Sequence, residues 1–147
     1  MKKTFVVFLL FFGFSVFGQD TVSGFGEIPE DQCRIVLIGK QDFPYSNLFS
    51  IKINDSDNFE FNISKSYPVI NMYEGRKNIV INYIYGRNGK ILGHIGCSLY
   101  LEKGRTLYLY AVSSKFQIFW KMLTEKEALA KTRNKEPLVL SFMEGTL

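Results

Sequence analysis

A chain of 147 residues that is 46% hydrophobic and 16% aromatic has the makings of a packed core, which excludes a disordered tail. Its net charge of +4 includes two lysines at the extreme N-terminus. Without that pair, 16 basic side chains face 14 acidic ones, scattered along the chain, which argues against a nucleic-acid partner.

Lys2 and Lys3 precede an almost wholly apolar run from Thr4 to Phe17, and Phe17-Gly18-Gln19 offers a small residue for cleavage. A helix needs roughly 20 residues to cross a bilayer, so this shorter run is expected to be a signal peptide, residues 1–18. Residues 19–147 are then expected to form a single exported domain, periplasmic or extracellular, with no membrane span after leader removal. An uncleaved anchor is the competing reading of the same run.

Gln19 to Glu30 reads as a polar approach segment with a short strand around Val22 to Glu27. Cys33 to Gly39 is β-branched and nearly continuous in apolar residues, which predicts a central strand. Phe43-Pro44 marks a loop, because the residue before proline is pushed to extended geometry. Leu48–Ile53 and Asn58–Ile63 both alternate, with Phe49, Ile51, Ile53, Phe59, Phe61 and Ile63 inward. The Asn/Asp/Ser turn between them predicts a hairpin. A strand from Val69 to Tyr73 follows Pro68, and Glu74 to Lys77 turns the chain.

From Asn78 to Val112 three β-rich runs are divided by two turns, and a meander is expected there. Asn88-Gly89 suits a type I′ hairpin, which requires positive φ at both central residues. Gly104 supplies the second reversal. Beyond Val112 the period changes: Phe116, Phe119, Trp120 and Leu123 recur at helical spacing, and Ser114 with Gln117 forms a capping-box pattern. A helix is expected from about Lys115 to Arg133. The rival reading makes Phe116–Leu123 a strand, with Thr124 and Glu127 capping a shorter helix. Pro137 opens a last strand, about 138–143, suited to a sheet edge. The fold class is therefore mainly β: an antiparallel β-sandwich of about seven or eight strands with one C-terminal helix.

Cys33 and Cys97 both fall on inward parity, so in an oxidising compartment they could meet as a disulfide; the other reading is two buried free thiols. The lone histidine, His94, has no sequence cue placing an activated serine beside it, and no Gly-x-Ser-x-Gly occurs. Asn54, Asp55, Asp57 and Asn58 place oxygen ligands in one turn. Counted from Asp55, however, the sixth and twelfth positions of a calcium loop are Glu60 and Ser66 rather than Gly and Glu. Hence no catalytic residue, no metal ligand and no cofactor is assigned.

The remaining candidate is aromatic. If Ile95, Leu99, Leu107 and Leu109 face the core, then Tyr100, Tyr108 and Tyr110 project from the opposite face of adjacent strands, together with His94. That row either binds a partner, stabilises the sheet by cross-strand pairing, or lies beneath the C-terminal helix.

Several features occur in order: the strand Cys33 to Gly39, the Asp/Asn turn before Phe59-Glu60-Phe61, Pro68-Val69, and Leu101-Glu102-Lys103-Gly104 before an apolar strand. Over about residues 21–112 this order resembles small secreted β-sandwich domains of unknown function from Bacteroidetes envelope proteins. The resemblance implies an envelope protein and carries over no catalytic residue. The expected function is an exported binding domain without catalysis, whose partner is a protein or a surface glycan. A periplasmic inhibitor or immunity-type protein is the alternative, and a hydrolase is less favoured by the residue inventory.

Overall fold

The computed structural model describes residues 24–41, 47–85, 88–114 and 117–142. The expected leader and its cleavage point lie outside them. Nine strands and one helix occur among the described residues, in the order β1 (Gln32–Gln41), β2 (Leu48–Ile53), β3 (Phe59–Asn62), β4 (Ser66–Tyr73), β5 (Gly75–Tyr85), β6 (Lys90–Leu101), β7 (Thr106–Ser114), β8 (Gln117–Met122), α1 (Glu125–Thr132) and β9 (Glu136–Phe142). The five-stranded sheet A runs β8-β7-β1-β4-β9, and the four-stranded sheet B runs β3-β2-β5-β6. The strand count thus exceeds the seven or eight expected.

Alternation places Phe49, Ile51, Phe61, Ile79 and Ile81 of sheet B on the same core as Ile35, Leu37, Met72 and Leu109 of sheet A. A second apolar cluster covers the other face of sheet A, where Val36, Ile38, Tyr67, Val69 and Tyr110 meet Leu123 and Ala128. Strand β1 is therefore buried on both faces, which is why its sequence is nearly continuous in apolar residues, with Arg34 the buried exception. The β2/β3 hairpin forms as expected, with Asn54 taking positive φ in its turn and Ser56 Oγ accepting from Ile53 N–H.

The meander does not form. β5 and β6 pair antiparallel in sheet B, but β7 crosses to sheet A and runs parallel to β1. The turn before β7 is stitched to the start of β1: Gly104 N–H donates to Gln32 O, and Arg34 N–H donates to Arg105 O. β9 likewise runs parallel to β4, so sheet A is mixed and not antiparallel. Among the described residues of the β5–β6 turn only Gly89 has positive φ, and Tyr85 pairs with Lys90, so the expected two-residue type I′ hairpin does not form.

The long helix expected over 115–133 is also replaced. Gln117–Met122 is strand β8, paired with β7, and Ser114 faces Gln117 across that hairpin instead of capping a helix. Phe116 lies outside the described residues. Phe119, Trp120 and Leu123 follow the helical period while Ile118, Trp120 and Met122 alternate; the otherwise unpaired edge of β7 decides for the strand, with Ile118 and Trp120 turned to the core. Thr124 then starts α1 with a complete capping box, its Oγ1 accepting from Glu127 N–H and Glu127 Oε2 accepting from Thr124 N–H.

Residues 24–27 form no strand, contrary to expectation; they strap across the outer face of sheet A. Phe25 packs edge-on to Tyr67 at 5.9 Å and against Tyr108 at 5.4 Å between ring centroids. Of its flanking glycines, Gly26 has φ +82°, which favours glycine, and a Cβ at Gly24 would stand 2.5 Å from Leu129 Cδ2, so that exposed side chain would have to shift. Beneath the strap, Arg34 is only 4% exposed. Its guanidinium donates to the carbonyls of Phe25, Gly26 and Glu27, while Nε donates to Asn71 Oδ1.

Cys33 and Cys97 are both free. Cys33 sits in sheet A with its thiol donating to Met72 O, whereas Cys97 sits in sheet B, paired with Ile79. Shared inward parity brought them to one core without bringing them to bonding geometry.

Candidate functional site

The four residues singled out for binding do not share a face. Tyr108 and Tyr110 belong to sheet A; Tyr110 is 8% exposed, and Tyr108 packs under the strap. Tyr100 and His94 belong to β6 in sheet B and point away from the core, since Ile95, Cys97 and Leu99 pack toward it. Tyr100 is 62% exposed, and His94 is exposed too.

Strand registers build the rest of this outer surface as cross-strand rows. Arg76 lies beside Tyr100, Asn78 beside Ser98, and Val80 beside Gly96. The next row spans all four strands: Glu60, Ser50, Asn82, His94. Its ends are exposed and its middle is buried, where Asn82 Nδ2 donates to Ser50 Oγ at 3.0 Å. Tyr100 and His94 are six positions apart on one strand, about 20 Å at the usual rise. Between them Gly96 and Ser98 keep the surface low. A Cβ at Gly96 would make only ordinary contact, 3.7 Å from Ile79 O.

Row membership brings Ser50, His94 and Glu60 onto one face, which the sequence did not signal. Adjacent strands stand about 4.8 Å apart, so Ser50 is two strands, about 10 Å, from His94. That separation, with Asn82 interposed, is too wide for a base to take a proton from the serine hydroxyl. In the Asn54–Asn58 turn, Asn54 Oδ1 accepts from Asn78 N–H and Ser56 Oγ donates to Asp57 O, so these oxygens hold the turn. Among the described residues, no three His, Cys, Asp or Glu side chains converge as metal ligands. Burial pushes the half-buried Cys97 thiol above its ordinary pKa, away from thiolate reactivity.

The other candidate face is occupied. α1 and the strap lie over Tyr67, Tyr108 and Tyr110; burial raises the Tyr67 phenol, whose side chain is hydrogen-bonded to Thr132. No protein-family model matches this chain, and no curated protein matches it significantly.

Proposed function

We propose that the chain is an exported, non-catalytic binding module: two sheets stacked as a sandwich, with the exposed outer surface of β6 and the start of β5 presented to an extended surface glycan of the cell envelope. The observation that carries this reading is Tyr100, 62% exposed at one end of a row-built surface of Arg76, Asn78, Ser98 and His94. A phenol ring offers a stacking platform for a sugar ring, and the guanidinium, amide, hydroxyl and imidazole groups supply donors and acceptors for its hydroxyls. The roughly 20 Å between Tyr100 and His94 suits an oligosaccharide better than a single sugar.

A glycan array followed by calorimetry tests the reading. Tyr100→Ala should weaken capture by at least about tenfold, in line with loss of an exposed aromatic anchor, and leave the fold intact. Unchanged capture would remove this face from consideration. An array that stays blank, with a purified protein crosslinking at Ser98, would transfer the surface to a protein partner, the inhibitor-type reading included. Export is tested separately by sequencing the N-terminus of the chain recovered outside the cytoplasm, where Gln19 is the expected first residue.

A further inference from the structure

We propose that the end of sheet A's outer face nearest the C-terminus of α1 docks onto an anionic lipid surface. Phe119 is 57% exposed on edge strand β8. It pairs with Val112, a residue of the outer cluster, so its ring points away from the sandwiched core. Next along the same strand face, Lys121 pairs with Tyr110 and holds its Nζ 5.8 Å from that ring's centroid. From α1, Lys131 places its Nζ 4.3 Å from the same centroid. Lys135 reaches back to donate to Gly39 O at 3.2 Å.

Two amines thus converge on one tyrosine, beside a projecting phenylalanine, with a third lysine anchored nearby on β1. Glu127 lies within the field of Lys121 and Lys131, but its Oε2 is held by the Thr124 backbone N–H and hydroxyl. Burial, and after it the nearby charge of Lys131, pushes the Lys135 amine below its ordinary pKa. Charge complementarity therefore selects an anionic occupant. An aromatic side chain on a sheet edge, flanked by lysines with long aliphatic stems, suits insertion at a headgroup boundary.

A control stands at the opposite edge of the same sheet. Val139 of β9 is 65% exposed and faces the same way, because it pairs with Val69 of the outer cluster. Its strand carries Glu136 and no lysine.

The test is cosedimentation with phosphatidylcholine vesicles, with and without about one third phosphatidylglycerol, at low and raised salt. The reading taken is the ratio of anionic to neutral binding, so an apolar leader still attached to the chain, which binds both vesicles, does not decide the outcome. Each lysine near an anionic surface contributes about fivefold in partitioning, so Lys121→Gln with Lys131→Gln should lower that ratio about 25-fold. Phe119→Ser should lower binding about fivefold and Val139→Ser should leave it unchanged. Equal binding to neutral vesicles, an undiminished double lysine variant, or an equal loss with Val139→Ser would each overturn the proposal. So would a soluble polyanion, heparin, that binds through these lysines while vesicles do not. None of these outcomes depends on the sheet B reading.

Discussion

The two sheets differ most where they face outward. Sheet A lies under a helix and an N-terminal strap, and its strands β1 and β4 are buried on both sides. Sheet B carries no helix or strap among the described residues, and its edge strand β6 alternates from core to surface, although Ser50, Asn82 and Ile84 on β2 and β5 are buried. Tyrosine shows the consequence. In sheet A, Tyr67, Tyr108 and Tyr110 serve as core, whereas Tyr100 in sheet B stands free of cover. The same side chain is structural or available according to what the chain lays over it afterwards.

That contrast can be broken from the covered side. Replacing Arg34 by Met leaves three strap carbonyls and Asn71 without their charged donor, so urea unfolding should show a loss of about 3 kcal/mol. A loss under about 0.5 kcal/mol would mean that the strap is not fastened by this residue. Phe25→Ala removes the ring between Tyr67 and Tyr108 and should cost about 2 kcal/mol, since the site is half-buried and open to partial collapse. Tyr108 should then become accessible to tyrosine-modifying reagents, which would sharpen the comparison by making a sheet A tyrosine behave like Tyr100.

Smaller effects follow at the cap of the covering helix. Thr124→Ala should cost about 1 kcal/mol, read as a lowered denaturation midpoint. Glu127 is held below the ordinary carboxylate value by the Thr124 backbone and hydroxyl hydrogen bonds. A depressed carboxyl contributes above its unfolded value, and that contribution fades as pH falls through the lower folded value. The difference between parent and Thr124→Ala should therefore shrink on acidification below about pH 4.5. The smallest effect belongs to sheet B: Tyr100→Ala should change stability by no more than about 0.5 kcal/mol. A larger loss would show Tyr100 to be a structural residue and close the distinction between the faces.

Much of this architecture was legible from pattern. Nearly continuous apolar character placed β1 centrally, and alternation around an Asn/Asp turn located the β2/β3 hairpin with its inward Phe49, Ile51 and Phe61. Of the candidate site, the outward parity of Tyr100 and His94 was readable within one strand. Their separation from Tyr108 and Tyr110 was not, because parity says which side a residue takes and nothing about which sheet its strand joins. The β7 crossover rests on hydrogen bonds between Gly104 and Gln32 and between Arg34 and Arg105, more than 70 positions apart. The strap was hidden for a similar reason. Gly24-Phe25-Gly26 looks like any small flexible stretch until Leu129, Tyr67 and Arg34 gather round it.

Local chemistry alone determined that this chain is mostly strand, where several of its turns fall, and which side chains alternate inward, because pleat and turn preferences act over a few residues. Tertiary structure decided the rest. Sheet membership, the choice of strand over helix at Gln117–Met122, the two free thiols and the tyrosines left exposed or covered each depend on which distant edge supplies hydrogen bonds and which apolar surface must be hidden from water.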